Sequence, residues 1–307
     1  MSVLCEVCKV SRSGYYRWNA EGRQIYQAAC RARETLKKHV LEAFESNRGI
    51  YGAPRLTREL WSRGIEVSVA TVGRLMDELG IHGASGRAKT ITTRPDRHAR
   101  KSDDLVKRNF SVDAIDKLWV SDLTYIGTKE GWLYLVCIMD ACSRRILGYK
   151  MGDTMDTQLF IDALNQAKAV RGRALLPTTI FHSDHGSQYT SDDFRQMLRI
   201  SGMAQSMGTV GDSFDNSMAE SLWASLKKEL VYRTDFNTRE EARTAIFDWI
   251  QWYNRKRRHS SIDYLSSICV RTNRYATSCM GKRGPASHLV SNSIPSVNGW
   301  CSLELSE

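Results

Sequence analysis

Cysteines and long apolar runs are scarce in this chain of 307 residues. Eight cysteines are too few for a disulfide scaffold, so ordinary reduced thiols are expected. The pair Cys5 and Cys8 lacks two further ligands at the spacing that a structural zinc site requires. The longest apolar run, residues 132–139, is far shorter than the roughly 20 residues that a membrane helix needs. No basic start followed by an apolar segment is found at the N-terminus, so the chain is predicted to be cytosolic, with no membrane partner.

Charge is unevenly distributed along the chain. The formal net charge is +10, to which residues 1–110 contribute +9 (21 Lys and Arg against 12 Asp and Glu). Residues 111–230 contribute −3 (12 against 15), and residues 231–307 contribute +4 (11 against 7). Basic flanks suggest contacts with a nucleic-acid backbone. The acidic middle fits either a divalent-metal site or an ordinary α/β core, and charge alone leaves both open.

Residues 1–47 are predicted to form a partial helix-turn-helix followed by a connecting helix. Ser11 is a residue type that caps helices, and three aromatic residues follow it within a short run. Residues 24–46 carry apolar side chains at four-residue steps, which is typical of an amphipathic helix.

Residues 48–82 carry the signals of a complete helix-turn-helix. Pro54 favours the start of one helix, and Ser68 would cap a second. A glycine follows the end of each of these two helices. Thr71 and Arg74 would then point outward from the second helix and contact DNA. A helical hairpin that only packs against the rest of the chain is the alternative.

An α/β domain is predicted over residues 111–267, after a basic linker at residues 83–110. Three predicted strands lie close together in sequence, which favours an antiparallel meander, and further strands then alternate with helices. The predicted strands are 118–128, 132–141, 145–151, 178–184 and 204–207, and the predicted helices are 156–171, 191–201, 217–230 and 238–256.

Three carboxylates occupy positions where such elements place functional groups. Asp122 lies within an apolar strand, where a charge is costly unless it is paired or binds a metal. Asp184 ends a strand, and Glu220 lies in the first turn of a helix after a glycine-containing loop. Carboxylates that converge from different elements could hold hard divalent cations, two of which can flank a phosphodiester. Each carboxylate taken alone also fits a structural role, such as a core ion pair, a helix cap or a helix-end charge.

Several segments, in this order and at this spacing, resemble the DDE transposases of the IS3 family of bacterial insertion sequences. They are WVSDLTY at 119–125, HSDHGSQY at 182–189, DNSMAES at 215–221, Lys227, and YNRKRRHSS at 253–261. Asp184 and Glu220 are separated by 35 residues, which is the spacing typical of this family. Residues 51–81 also resemble the helix-turn-helix that precedes the catalytic core there.

The resemblance implies an α/β fold with a ribonuclease-H-like integrase core, in which helices flank a mixed five-stranded sheet, preceded by an all-α helix-turn-helix region. It implies that Asp122, Asp184 and Glu220 hold two Mg²⁺ ions, for which Mn²⁺ would substitute. Water would attack a phosphodiester at the element end, and the freed 3′-hydroxyl would attack another phosphodiester. The implied partners are terminal inverted repeats and target DNA, bound by at least a homodimer. The implied location is the bacterial cytoplasm, at the nucleoid.

Polar residues near these carboxylates are candidate DNA contacts. Lys227 lies seven residues after Glu220, about two helical turns, so both would share one helix face beside a terminal phosphate. His185 and Gln188 border Asp184 and would contact DNA or orient a ligand.

A basic cluster at residues 255–259 is a further candidate for contact with the DNA backbone. A solvated helix end is the alternative. The candidates within the cluster are Arg257, Arg258 and His259.

Residues 268–307 do not follow the family pattern. Asp263 and Ser267 stand where the family usually has Gly and Pro, and three of the eight cysteines lie after them. We therefore expect an atypical, poorly ordered tail that results from a frame change near residue 266. The chain is also expected to be a downstream reading-frame product, with an upstream-frame product as its fusion or partner.

The sequence thus predicts a Mg²⁺-dependent DNA transposase, which is a polynucleotidyl transferase. One alternative is a catalytically impaired DNA-binding remnant or repressor of the same element. Another is a ribonuclease-H-like nuclease that cuts without joining. The intact carboxylates favour the transposase, and the helix-turn-helix speaks against a simple nuclease.

Overall fold

The computed structural model describes residues 2–84, 104–106, 109–110, 112–172, 176–208 and 216–270. These residues fall into two compact units, one within residues 2–84 and the other within residues 104–270. The predicted basic linker lies mostly outside the described residues, and so does the predicted tail after residue 270.

The first unit is helical, as predicted. Ser11 caps its second helix by accepting a hydrogen bond from the N–H of Gly14 at 3.0 Å. The helices are α1 (Ser2–Val7), α2 (Arg12–Arg17), α3 (Arg23–Ser46), α4 (Ala53–Ser62) and α5 (Val69–Glu78), with a π-helical turn at Trp18–Gly22.

Helices α4 and α5 form the predicted helix-turn-helix geometry from local signals. Pro54 lies in the first turn of α4, and Gly64 ends that helix with a φ of +78°, which favours glycine. Ser68 caps α5 by accepting the N–H of Thr71 at 3.1 Å. Both helices pack on α3, and each buries two apolar side chains completely; they are Leu56, Leu60, Val72 and Leu75.

The second unit is built on a mixed five-stranded sheet in the order β3–β2–β1–β4–β5. The strands are β1 (Leu118–Thr128), β2 (Gly131–Asp140), β3 (Ile146–Gly152), β4 (Ile180–Ser183) and β5 (Ala204–Met207). The first three pair antiparallel, whereas β4 pairs parallel with both β1 and β5. The predicted meander is therefore confirmed, and the strand ends differ from the prediction by at most two residues.

Helices cover both faces of this sheet. Because side chains alternate along a strand, Trp119 faces α6 and α7 in the main apolar core, while Asp122 faces the opposite side, toward α8. Helix α9 packs on β1, β2 and β3. The helices are α6 (Thr157–Arg171), α7 (Asp192–Ile200), α8 (Ser217–Glu229) and α9 (Arg239–Arg255), followed by a small hairpin of β6 (Arg258–His259) and β7 (Leu265–Ser266). Within the described residues, no helix is both long and apolar enough to cross a membrane.

Candidate active site

Asp122 lies in the middle of β1, and fixed donors orient its carboxyl group. One oxygen accepts the N–H of Leu123 at 2.8 Å. The other accepts the indole N–H of Trp223, on α8, at 2.9 Å. The carboxyl therefore has one defined orientation, set by its own strand and by a neighbouring helix.

Asp184 and Glu220 both act electrostatically on this carboxyl. Asp184 follows directly after β4, and Glu220 lies in the first turn of α8. Burial, then the negative charge of Asp184 and, less strongly, that of Glu220 raise the pKa of Asp122 from its ordinary value of 3.8 to about 7. The two hydrogen bonds to Asp122 oppose this rise. The fold thus brings the two other carboxylates into electrostatic range of Asp122.

The Asp184 carboxyl is held by the loop that follows it. It accepts the N–H of Gly186 at 3.0 Å. Removal of water from the carboxyl raises the pKa of Asp184, while the Gly186 hydrogen bond and the neighbouring His185 and His182 lower it. Glu220 is exposed. In the part of the chain that the structure describes, no three His, Cys, Asp or Glu side chains form a group that could hold a metal ion.

Three residues that the sequence analysis did not single out support this site. Trp223 donates to Asp122, and Asn216 donates from Nδ2 to the carbonyl oxygen of Ser121 at 3.2 Å. The buried hydroxyl of Tyr189 hydrogen-bonds the Ser121 hydroxyl at 2.7 Å. A sequence signal existed for two of them, because Tyr189 and Asn216 lie within the matched segments. Trp223 lies outside these segments, three residues after Glu220.

Lys227 lies on α8 with Glu220, as predicted. Its Nζ atom is 5.8 Å from the centroid of the Tyr125 ring, a distance at which a cation and an aromatic face attract each other. The side chain is half-buried, so its aliphatic stem packs while the ammonium stays near the surface.

His185 and Gln188 anchor the loop after Asp184 in this structure. The Nε2 atom of His185 hydrogen-bonds the carbonyl oxygen of Gly208, and its buried Nδ1 atom has no hydrogen-bond partner among the described residues. Gln188 donates from Nε2 to the carbonyl oxygen of Met155 at 3.2 Å. Both side chains are half-buried, and their contacts hold the loop in place.

Two of the three candidate DNA contacts in the basic cluster at residues 255–259 are buried, contrary to the prediction. The Arg257 side chain is only 5% exposed, and its guanidinium pairs with Glu229 at 2.6 Å, with further hydrogen bonds at 2.9 and 3.0 Å. His259 is also buried and lies beside the Arg257 guanidinium at 3.1 Å. These two residues point into the protein, so the structure does not support the predicted contact with DNA. Arg258 is half-buried and donates to the carbonyl oxygen of Tyr264 at 3.2 Å.

The predicted recognition helix α5 presents polar side chains to solvent. Arg74 is exposed, with hydrogen bonds at 3.4 and 3.5 Å to the Ala70 carbonyl oxygen and the Thr71 hydroxyl. Thr71 is half-buried, and its hydroxyl is also engaged with the hydroxyl of the capping Ser68 at 2.9 Å. Arg74 is therefore the more accessible of the two candidates.

Comparison with known proteins places both units in described families. Residues 31–89 match an HTH-like domain, and residues 113–213 and 201–266 match integrase core domain families.

Relatives that cover more than four fifths of this chain include transposases of insertion sequences. The transposase for insertion sequence element IS629 of Shigella sonnei is 35% identical over 83% of this chain and 85% of its own length. The transposase InsF for insertion sequence IS3A of Escherichia coli K12 is 34% identical over 85% of this chain and 90% of its own length. The chain belongs to the IS3-family transposases. Its function is DNA transposition, and its activity is of the polynucleotidyl transferase type.

Two solved integrase cores are similar to about half of this chain at low identity. The HTLV-2 integrase catalytic core, solved in complex with magnesium, aligns with a TM-score of 0.39 and 16% identity over 51% of this chain and 96% of its own. The core of BIV integrase aligns with a TM-score of 0.40 and 17% identity over 53% of this chain and 99% of its own. These similarities are too weak to transfer any residue role.

Proposed function

We propose that this chain cleaves DNA at the ends of an insertion sequence and joins the freed strands, with Asp122, Asp184 and Glu220 as its catalytic residues. The observation that carries the proposal is that Asp184, directly after β4, and Glu220, on α8, both raise the pKa of Asp122 in the middle of β1. Natural folds rarely bring like charges together without a counter-ion, because their repulsion disfavours folding.

By its chemistry this donor set suits two Mg²⁺ ions, or Mn²⁺ in their place, although the three carboxylates do not form a closed metal-binding group in this structure. All three candidate ligands are carboxylate oxygens, which hard divalent cations prefer. Burial, and after it the charges of Asp184 and Glu220, raise the pKa of Asp122, and a bound cation would favour the ionised carboxylate against all three. The chemistry that such ions supply is activation of the attacking oxygen and stabilisation of the leaving oxygen of a phosphodiester.

The other residues of the site would position the reacting groups. Trp223 and the Leu123 N–H keep the Asp122 carboxyl in one orientation. Lys227, on the same helix as Glu220, would bind the phosphate next to the bond that is cut. His185 and Gln188 would keep the loop after Asp184 in place while DNA is bound.

We further propose that the first unit recognises the terminal inverted repeats through α5. The exposed Arg74 is the candidate for reading a base, with Thr71 supporting it. Chemistry at paired ends requires at least two copies of the chain on DNA. An upstream-frame product, as a fusion or a partner, would supply further contacts with the ends.

The test of the proposed function uses the DNA that flanks the gene, because a transposase's substrate ends normally bracket its own reading frame. Wild-type protein and Glu220→Gln are incubated with these ends in Mg²⁺ or Mn²⁺, and the products are mapped. We expect strand-specific nicks at the element tips and joined ends with wild type. Glu220→Gln should give neither product while binding the ends with unchanged affinity, since it removes one charge and hardly changes volume.

Binding without nicking by the wild type would contradict the proposed function and favour a DNA-binding remnant or repressor. The same assay on a fusion with the upstream-frame product separates a decayed enzyme from one that lacks its partner. Nicks without joined ends would favour a simple nuclease. Cleavage by Glu220→Gln would remove Glu220 from the catalytic set.

A second prediction concerns recognition of the ends. Arg74→Ala should weaken binding to the element ends about tenfold or more, the loss expected for one bidentate contact with a base. Binding to unrelated DNA and the affinity for metal should change little. Arg31→Ala removes the same charge from an exposed position on α3 and serves as the control. Equal binding of the ends by Arg74→Ala and wild type, in a gel-shift titration, would refute the assignment of α5.

A further inference from the structure

Two large aromatic side chains lie exposed and in mutual contact on the β1–β2 hairpin. Tyr125 is 40% exposed and Trp132 is 54% exposed. Their ring centroids are 5.0 Å apart, with the planes at 82°. Scattered exposed aromatics need no explanation, but this pair forms a continuous apolar surface beside a cation, because the Nζ atom of Lys227 lies 5.8 Å from the Tyr125 centroid.

The pair is held rigidly. The indole of Trp132 lies over Gly127, its partner in the β1–β2 register, and a side chain at Gly127 would place its Cβ atom 3.4 Å from that ring. Arg239, at the start of α9, donates from Nε to the carbonyl oxygen of Trp132 at 3.0 Å. The backbone N–H of Arg239 also donates to Glu130 at 2.8 Å, and Lys129 donates to Asn237 at 2.7 Å. The charges at the hairpin tip are therefore engaged in tying it to α9.

Lys227 connects the aromatic pair with the three carboxylates. Tyr125 is three residues after Asp122 on β1, so the two side chains leave the strand on opposite faces and the strand alone does not join them. Lys227 is seven residues after Glu220 on α8, which is about 10 Å along a helix. Because its Nζ atom is also 5.8 Å from the Tyr125 centroid, Lys227 places the aromatic pair beside the phosphate that it would bind.

We propose that Tyr125 and Trp132 form a platform on which an unpaired base of the DNA end stacks, beside the phosphate next to the cleaved bond that Lys227 binds. The proposal rests on the proposed function. Every base has an apolar face, so the platform would accept any base and would favour ends with an unpaired segment. An aromatic surface also suits a protein partner, but the ammonium of Lys227 on the Tyr125 ring favours a ligand that is both flat and anionic.

The experiment uses the full chain and element ends that carry 2-aminopurine, a base whose fluorescence falls on stacking, at one position at a time near the tip. Titrations are made in EDTA, so that binding is measured without cleavage. We expect quenching confined to the nucleotides next to the cleaved bond, since Lys227 lies between the aromatic pair and Glu220. Tyr125→Leu and Trp132→Leu should lose the quenching and bind unpaired ends about tenfold more weakly, whereas Trp132→Phe should keep both.

Matched controls come from other exposed aromatics of the same unit. Tyr232→Leu and Phe247→Leu change side chains that are 48% and 47% exposed and lie on other elements, so they should quench and bind as wild type does. Thermal unfolding of all variants should agree with wild type, because exposed substitutions rarely change stability.

The outcomes separate this proposal from the proposed function. Unchanged quenching in Tyr125→Leu and Trp132→Leu, with normal nicking, would overturn the platform and leave the transposase chemistry standing. If quenching is specific to one position and depends on the two aromatics, but the wild type makes no nicks, the platform is supported and the proposed cleavage is contradicted. Unchanged quenching together with altered sedimentation of the DNA-free variants would overturn the platform and identify a protein interface instead.

Discussion

Asp122→Asn should abolish DNA cleavage and at the same time stabilise the protein in the absence of metal. Asparagine has the same shape as aspartate and one oxygen with which to accept the Trp223 hydrogen bond, but it carries no charge to bind a divalent ion. Its NH₂ group then faces the N–H of Leu123, so that hydrogen bond is lost at every pH, and the gain described below is measured against this constant cost. Loss of an oriented metal ligand removes several kcal/mol of transition-state stabilisation, so cleavage should fall by at least about a thousandfold.

The gain in stability follows from the raised pKa of Asp122. In the unfolded chain this carboxyl ionises near its ordinary value of 3.8, whereas in the folded chain its pKa is about 7. The folded state therefore binds more protons between these values, and the stability of the wild type falls as the pH rises through this window. The asparagine side chain of the variant is neutral throughout, so the difference between variant and wild type should be small near pH 4 and largest above pH 7.

Thermal unfolding in EDTA, measured between pH 5 and pH 8.5, checks this expectation. A stabilisation of 1 kcal/mol raises the melting temperature by about 2–4 °C in a protein of this size, and we expect at least that increase at pH 8. Glu220→Gln is the matched control. Loss of the Glu220 carboxylate should also abolish cleavage, but the increase in melting temperature should be much smaller, because Glu220 is exposed and its charge is the smallest cause of the raised pKa of Asp122.

Two results would contradict this account. Normal cleavage by Asp122→Asn would remove Asp122 from the catalytic set. A melting temperature that differs from wild type by the same amount at every pH would show that packing, rather than the charge of Asp122, sets its contribution to stability.

Most of the fold could be predicted because its signals are local. Ser68 caps α5 through a hydrogen bond that spans three residues, and β1 is recognisable from its own apolar run. The antiparallel meander follows from short turns between its strands, since strands joined by tight turns pair with each other. The strand ends were less well predicted, as for β4, which begins two residues later than expected.

The chemistry of the site was only partly predictable, because its contacts join residues that are distant in sequence. The positions of Asp122, Asp184 and Glu220 in their elements could be predicted from patterning. The hydrogen bond from Trp223 to Asp122 could not, because it spans 101 residues and indole side chains in an amphipathic helix usually pack as apolar groups.

The burial of the basic cluster at residues 255–259 also could not be predicted from the sequence. Sequence reveals that Arg257 is basic, but its environment depends on Glu229, which precedes it by 28 residues and lies on α8, whereas Arg257 follows the end of α9. A run of positive charge at a helix end has no pattern that distinguishes a DNA contact from an internal ion pair. An arginine in an internal ion pair is buried and one that contacts DNA is exposed, and here burial depends on how α8 packs against α9.

This burial leads to a large expected effect for Arg257→Met. The change would leave the carboxylate of Glu229, only 4% exposed, without its charged partner. Removing one member of a buried pair costs about 3–5 kcal/mol, so the melting temperature should fall by roughly 10 °C. Arg255→Ala removes an exposed arginine at the end of α9 and should change stability by no more than about 0.5 kcal/mol.

A double variant tests whether the cost comes from the unpaired charge. Glu229→Gln/Arg257→Met removes both charges, and glutamine can still accept the hydrogen bond that Trp249 donates to Glu229 at 3.3 Å. We expect it to recover most of the lost stability, because buried pairs replaced as a unit are often near neutral. A double variant as unstable as Arg257→Met would attribute the loss to packing of the long side chain.

The same variants decide between an internal ion pair and a DNA contact. A phosphate contact contributes about −0.9 to the slope of log affinity against log salt concentration, so losing one makes the slope measurably shallower. The double variant should bind DNA with the wild-type slope if Arg257 serves only the protein interior. A slope shallower by about one unit would restore the contact between Arg257 and the DNA backbone that the sequence predicts. Because Glu229 and Glu220 share α8, an intact slope with slower cleavage would mean that the pair holds the helix on which Glu220 lies.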